Sequence, residues 1–105
     1  MPLPPPLTED QRREALEKAA VARRKRVEVK EQLKSGRMMF KDLLARTDDA
    51  VVGKMKVSAV LESLPGVGRV RARKTMERLE ISESRRMRGL GAKQKEALLD
   101  ELARR

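Results

Sequence analysis

The run Pro65-Gly66-Val67-Gly68-Arg69 combines residue types that can bind an anion through the main chain. Proline and glycine stop a helix, and the two glycines let the backbone turn and approach a ligand closely because neither carries a Cβ. The amides of the two glycines and the intervening valine are then free to point at an anion, near the positive end of the next helix. Arg69 places a cation in the first turn of that helix, where it opposes the helix dipole. Such a cation is unfavourable unless a negative group lies nearby. This spacing indicates a turn that holds a phosphate of a nucleic-acid backbone.

Arg85, Arg86 and Arg88 crowd three cations onto one short turn. Met87 and Leu90 of the same turn are expected to be buried, which leaves the guanidinium groups to project outward. Repulsion between the three guanidinium groups on a constrained loop is unfavourable, and solubility alone does not explain why they are there. We therefore favour phosphate binding over a solvated surface. The turn is a second predicted contact with a polyanion.

Lys54 and Lys56 bracket Met55, just after Gly53. The flexible, apolar methionine is expected to turn inward with both ammonium groups outward, which makes this stretch a further candidate phosphate patch. In the helix after the glycine turn, Arg73 is predicted to join the first-turn arginine as a contact. Cations on the opposite face of that helix are explained at least as well by solvation: Arg71, Lys74 and Arg78.

The charge balance points to a polyanionic partner. The 105 residues carry 26 Lys plus Arg against 16 Asp plus Glu, which gives a net charge of +10. A merely soluble basic protein is the alternative, but the excess charge is clustered between Lys54 and Arg88. The chain has no Cys and no His, and therefore no disulfide, no thiolate or imidazole metal site and no catalyst of those types. We expect no enzyme activity, no cofactor and no metal.

Two absences narrow the partner and the location. Phe40 is the single aromatic residue, so stacking on unpaired bases is disfavoured and duplex binding is favoured. No apolar run approaches the about 18 residues of a membrane span, and the N-terminus lacks the basic and hydrophobic segments of a signal peptide. The sequence predicts a cytoplasmic protein with no membrane partner.

The elements that must position these groups divide the chain into three parts. Residues 1–7 are a Pro-rich tail, predicted to be disordered. Residues 8–35 form a long N-terminal helix without Gly or Pro in its interior. Residues 36–105 are predicted to be a compact helical domain that carries most of the phosphate-binding candidates. The fold class is all-α, a long helix joined to a bundle of short ones.

The long helix is predicted to begin at a capping box formed by Thr8 and Gln11. Its small apolar stripe is weak in the first half, so the helix is expected to project from the domain and to dock through Val29 and Leu33. Four consecutive cations at residues 23–26 spread around it. A solvated surface and phosphate contacts explain those four equally well.

The compact part shows helical spacing of apolar residues. A short helix from Met39 is expected to end near Thr47, and later helices are predicted over residues 57–64, 68–79 and 92–103. The last is expected to pack three leucines on the core: Leu98, Leu99 and Leu102. Glu80 stands where a left-handed cap would favour glycine.

The turn and its flanks resemble the helix-hairpin-helix core of many sequence-independent DNA binders, on the residues Leu61-x-x-Leu64-Pro65-Gly66-Val67-Gly68-x-x-x-Ala72. With residues 54–59 before it and 81–91 after it, nearly the whole chain is similar to the actinobacterial integration host factor family. The resemblance implies an all-helical nucleoid-associated protein with a helix-two-turns-helix module. Such a protein binds double-stranded DNA with little sequence preference and bends, bridges or compacts it.

The resemblance also implies where DNA is held and with what partners. Two separated patches, one at residues 53–56 and one at the glycine and arginine turns, would bend or bridge DNA. The predicted DNA-binding residues are Gly53, Lys54, Lys56, Pro65, Gly66, Val67, Gly68, Arg69, Arg73, Arg85, Arg86 and Arg88. Family members are implicated in phage integration and DNA topology, which implies a phage integrase as a partner in a nucleoprotein complex. A nucleoid location and a monomer in solution are expected.

Two other functions compete with this one. Residues 66–72 and 81–90 also resemble the helical module of a small-subunit ribosomal protein, so a structural RNA-binding protein is the alternative, although that family's strongly basic C-terminal tail is absent here. DNA glycosylases of the formamidopyrimidine type carry a related two-turn module and an N-terminal proline nucleophile. Pro2 is present, but Leu3 replaces the acid that such enzymes need next.

Overall fold

The computed structural model describes residues 6–103, and within that range it is all-helical with no β-strand. Its elements are α1 (Glu9–Lys34), α2 (Phe40–Leu44), α3 (Ala50–Lys54), α4 (Val57–Ser63), α5 (Gly68–Arg78), a 3-10 turn (Met87–Gly89) and α6 (Ala92–Ala103). The predicted all-α class with a long first helix is confirmed. Most of the predicted Pro-rich tail lies outside the described residues. No described helix is both long and apolar enough to cross a membrane.

The predicted capping box forms at the start of α1. Thr8 Oγ1 accepts a hydrogen bond from the Gln11 amide at 3.1 Å, and Gln11 Oε1 accepts one from the Thr8 amide at 3.0 Å. Leu33 is fully buried and Val29 half-buried, whereas every residue from 9 to 21 is exposed. The C-terminal end of α1 therefore docks on the domain, and the rest extends outward as an arm. The molecule is 53 Å long and only 24 Å thick.

One apolar cluster holds α4 and α5 against the docked end of α1. Leu33, Leu61 and Met76 contribute fully buried side chains from these three helices. Removing such surface from water is the main term that stabilises so small a domain. The burial predicted from the sequence is confirmed at Met55, Met87, Leu90 and Leu98, and the core also buries Phe40, Ala72 and Ile81.

The packing predicted for the last helix is wrong at Leu99. That side chain is 37% exposed, while its neighbour Leu98 is fully buried. Consecutive residues of a helix point about 100° apart, so both cannot face the same core. Leu102 is half-buried and packs against the cluster as expected.

A helix forms where the sequence analysis recognised none. α2 ends at Leu44, earlier than predicted, and the chain turns before α3 begins at Ala50. Asp49 caps α3, because its Oδ1 accepts hydrogen bonds from the amides of Val51 at 2.8 Å and Val52 at 3.2 Å. An aspartate before an apolar pair is an N-cap signal that the prediction missed.

Glu80 occupies the position after α5 at which a glycine was expected. Glu80 adopts φ +56°, the left-handed conformation predicted for a cap, without being glycine. Its amide donates to Glu77 O at 3.1 Å, and the Ile81 amide donates to Met76 O at 2.8 Å. These two bonds form a Schellman motif, in which buried Ile81 packs back toward the helix. The chain is thereby turned toward the arginine-rich loop.

Candidate nucleic-acid interface

The glycine turn between α4 and α5 has the geometry that its sequence predicts. Gly66 and Gly68 adopt φ values of +76° and +69°, which side chains with a Cβ rarely permit. Pro65 and both glycines are exposed, while the Val67 side chain is buried and anchors the turn in the core. The main chain of the turn is therefore presented to solvent on a fixed base.

The expectation that three amides are free is corrected at Val67. Its N–H donates to Leu64 O at 3.2 Å, which closes the turn internally. The amides of Gly66 and Gly68 make no hydrogen bond with the described residues, and no side chain caps the N-terminus of α5. Two donors, rather than three, face outward at the positive end of this helix.

Beside the turn, α4 and α5 form a groove of mixed charge. Its ionisable lining residues are Lys56, Arg69, Arg73, Glu62, Glu77 and Glu83. Arg69 Nε lies 3.9 Å from Glu62 Oε1, but both side chains are substantially exposed, so the pair is weak. The sequence analysis missed the acids, although Arg69, Arg73 and Glu77 recur at the four-residue spacing of one helix face. No described residues gather into a cluster that could hold a metal ion.

The two patches that the sequence separated are joined in the structure. The Val57 amide donates to Arg85 O at 3.0 Å, and the Met87 amide donates to Met55 O at 2.9 Å. This isolated antiparallel bridge sets Lys56 directly opposite Arg86. The prediction of two separate patches is therefore wrong, because main-chain pairing between distant loops brings their cations onto one surface.

The arginine turn is held by its own side chains. Arg86 Nη1 donates to Lys54 O at 2.6 Å, and Arg85 Nη1 donates to Gly89 O at 2.7 Å. A guanidinium has five N–H donors, so each group is positioned by one and keeps others for a ligand. Arg85 is half-buried rather than fully outward, whereas Arg86 and Arg88 are exposed. None of the three arginines forms an ion pair with a described carboxylate.

Gly53 contributes by its small size rather than by contact with solvent. The residue is buried, and a Cβ built on it would lie 2.6 Å from Thr47 O and 3.2 Å from Arg88 Nε. The expectation that Gly53 itself touches the ligand is therefore corrected. Its lack of a side chain lets Arg88 lie across the end of α3, next to the exposed Lys54.

A basic surface thus covers the paired loops, and the groove of mixed charge leads from it to the start of α5. The lysine and arginine side chains of the loops can bind anions through their charge, and the free glycine amides can bind them through directed hydrogen bonds. The face of α5 that bears Arg71, Lys74 and Arg78 is also exposed, but it carries no such turn, and Arg78 is paired with Glu101. Planar, multidentate donors of this kind suit phosphate oxygens.

Known proteins share the sequence and the fold of this chain. The family model of the S13-like H2TH domain matches residues 33–102. The fold and turn therefore define a helix-two-turns-helix protein. The chain is 63% identical over 91 residues to the integration host factor of Streptomyces coelicolor, covering 86% of this chain and 85% of that protein. It is 55% identical over 97 residues to the integration host factor of Mycolicibacterium smegmatis, covering 91% and 92%.

A solved structure gives the same assignment. It is described as sIHF bound to an 8-base-pair palindromic DNA, and it aligns with a TM-score of 0.78 and 57% identity. The alignment covers 81% of this chain and 97% of that one. The chain belongs to the actinobacterial integration host factor family, which confirms the resemblance seen in its sequence.

Proposed function

We propose that this chain is a non-enzymatic, nucleoid-associated protein that binds double-stranded DNA with little sequence preference and bends, bridges or compacts it. The carrying observation is the single basic surface formed by the bridge between residues 55–57 and 85–87, from which a groove lined by Lys56 and Arg69 leads to the start of α5. A relative at 57% identity has been solved bound to DNA. Both observations support a duplex as the ligand.

The binding mechanism follows from the donors on this surface. The amides of Gly66 and Gly68 hold one backbone phosphate at the start of α5. Arg86 and Arg88, already oriented by the loop, hold phosphates further along, and Lys54 extends the contact. All of these groups are directed at charge rather than at base edges, so affinity is expected to depend weakly on sequence.

Further assignments follow from the family. We infer a cytoplasmic, nucleoid-associated location, a monomeric state in free solution and a phage integrase as a partner in a nucleoprotein complex. The lack of Cys and His supports a protein without enzymatic activity. The residue on which a glycosylase mechanism would depend, Pro2, lies outside the described residues.

A structural RNA-binding function is the second candidate, because the matching domain model is described as S13-like. The chain has one aromatic residue, which disfavours recognition of unpaired bases but leaves helical RNA open. Backbone phosphates are common to both duplexes. Duplex DNA and duplex RNA differ in the shape of their grooves, so a binding experiment can distinguish the two ligands.

The deciding experiment is a gel shift of 30-base-pair duplex DNA, single-stranded DNA and duplex RNA across a salt series. If about eight phosphates are neutralised, log K for duplex DNA falls against log salt with a slope of about −7. Changing the base sequence should leave both the affinity and the slope nearly unchanged. A flat salt response would overturn the electrostatic mechanism, and tighter binding of duplex RNA would favour the second candidate.

A further inference from the structure

Helix α1 carries an apolar stripe, interrupted by one cation, that the described residues leave uncovered. Leu16 is 66% exposed and Val27 is 49% exposed. They are eleven residues apart, so at about 100° per residue their side chains point within about 20° of each other. Ala20 and Arg23 lie between them, each about 30° from the centre of this face. This face is about a quarter-turn or more from Leu33, which docks on the domain, so the stripe is a separate surface.

The same helix is unevenly charged along its length. Residues 9–17 contain four acids and two arginines, whereas residues 23–34 contain six cations and two acids. Two such helices side by side and parallel would place like charge against like charge. In the antiparallel orientation, each acidic half lies along the basic half of the other copy.

We propose that the partner of this stripe is a second copy of the chain, paired antiparallel through α1, and that this pairing joins molecules already bound to DNA. Leu16 of each copy then packs against Val27 of the other, with the two-fold axis passing near residues 21 and 22. The inference rests on the proposed DNA binding and specifies how that binding becomes bridging. It uses none of the groups on the basic surface described above.

The register set by Leu16 and Val27 also fixes which charges meet. A two-fold axis of this kind keeps each flank of the stripe beside the same flank of the other copy. Three pairs of opposite charge result, each occurring twice: Glu9 with Lys34, Arg13 with Glu31, and Glu17 with Arg24. One pair of like charge falls on the other flank, Arg12 with Lys30. The two copies of Arg23 also approach each other near the two-fold axis, so three pairs of opposite charge stand against two of like charge.

The surroundings of Val27 leave room for a second helix. A shallow groove between α1 and α4 is lined by Val27, by the small residues Ala59 and Ser63, and by four charged residues: Lys30, Glu31, Lys34 and Glu62. Leu16 of the other copy can enter this groove and cover both Val27 and the small residues of α4. The N-terminal half of one arm would therefore be seated between two helices rather than on one.

The size of the contact explains why pairing depends on DNA. Two leucines, two valines and a few exposed ion pairs form an interface far smaller than the about 1,200 Å² of a stable complex, so copies free in solution stay apart. Molecules held on neighbouring or juxtaposed duplexes meet at effective concentrations of about millimolar. Weak pairing is then sufficient to join two duplexes.

The test is a charge swap across the proposed pair. Glu17→Arg and Arg24→Glu each turn two attractive contacts into two repulsive ones, and each should weaken bridging about tenfold. The double variant restores opposite charges with the sides exchanged, keeps the net charge of +10 and should recover bridging. Bridging is measured as capture of a labelled duplex by protein on bead-immobilised duplex. Binding to one short duplex is measured beside it.

A direct DNA contact by α1 makes a different set of predictions. Glu17→Arg would then strengthen binding, Arg24→Glu would weaken it, and the double variant would fall between them. Arg12→Glu separates the two ideas further, because it removes positive charge yet converts the like pair with Lys30 into an attractive one. Pairing predicts about tenfold stronger bridging for that variant, whereas direct contact predicts weaker binding.

Three results decide between the outcomes. Recovery in the double variant, with short-duplex affinity unchanged, supports the paired arms. Failure of the double variant to recover, or parallel changes in bridging and in short-duplex affinity, overturns them. Failure of the unmodified chain to bind a short duplex would instead contradict the proposed DNA binding itself, so the two failures are distinguishable.

Discussion

Arg86 Nη1 donates a hydrogen bond to the main-chain oxygen of Lys54 at 2.6 Å, across 32 positions of the sequence. This bond ties the C-terminal end of α3 to the arginine turn. Together with the bridge between Lys56 and Arg86, it makes one rigid surface from two loops. A ligand that meets this surface finds its cations already placed, which lowers the entropy lost on binding.

Removing the three arginines of the turn should weaken binding without unfolding the domain. Alanine at Arg85, Arg86 and Arg88 is expected to reduce affinity for all duplex sequences alike and to make the salt slope less steep by about 3. Gel shifts on two unrelated duplexes measure both effects. Far-UV circular dichroism should show unchanged helix content.

A control variant shows whether the effect depends on where the cations lie or only on the loss of positive charge. Arg71→Ala with Lys74→Ala removes two cations from the exposed opposite face of α5 and should change the slope much less. Arg88→Ala alone avoids both side-chain bonds that hold the loop, so it reports on phosphate contact even if the triple variant is unstable. Unchanged affinity in Arg88→Ala, with the fold intact, would contradict the assignment.

Gly53→Ala should destabilise the domain and disturb the basic surface. The new methyl group would lie 2.6 Å from Thr47 O, closer than packing allows, so backbone must move at a cost of about 1–3 kcal/mol. Thermal unfolding measures the loss. At Gly91 a Cβ meets only Gln94 Oε1, at 3.8 Å, so Gly91→Ala is the control and should cost much less. Equal melting temperatures for the two variants would show that the close contact relaxes freely.

Glu80→Gly is expected to stabilise the protein. The glutamate is held at φ +56°, where glycine has no steric penalty, so the change should raise the free energy of unfolding by about 0.5–1 kcal/mol and the melting temperature by about 3–6 °C. The same substitution inside α5, Glu77→Gly, removes the same charge but should destabilise by about 1 kcal/mol. If both variants lose stability, the left-handed strain at Glu80 is negligible.

Asp49 makes the stability of the fold depend on pH in the acidic range. Hydrogen bonds from the amides of Val52 and Val51 hold the pKa of its carboxyl below the ordinary value of 3.8. A pKa depressed by folding stabilises the native state above 3.8, and this contribution is lost as the pH falls through the lower, folded pKa. Asp49→Ala should cost about 1 kcal/mol at neutral pH.

The matched change at this position is Asp49→Asn, which keeps an acceptor for the α3 amides but cannot titrate. It should retain most of the stability at neutral pH and lose less than the unmodified chain as the pH falls below the ordinary carboxyl value of 3.8. Urea unfolding at several pH values measures both variants and the unmodified chain. Identical pH profiles for Asp49→Asn and the unmodified chain would place the acid response elsewhere.

Much of the fold could be predicted because its signals are local. The capping box at Thr8, the helices on either side of the glycine turn and the inward Met55 all follow from residue types a few positions apart. The missed helix α3 had a local signal too, the cap at Asp49, but five residues were too few for helical periodicity to reveal it.

The sequence by itself determined the all-helical fold class, the glycine turn and the excess of positive charge. Local backbone conformation depends on residues close together in the chain, and net charge depends on composition alone. Only the tertiary structure decided that residues 55–57 pair with 85–87 and that Gly53 is buried under Arg88. These relationships depend on how distant loops close over a shared core. No spacing along the chain encodes that closure, because the contacts that stabilise it form between segments about 30 residues apart.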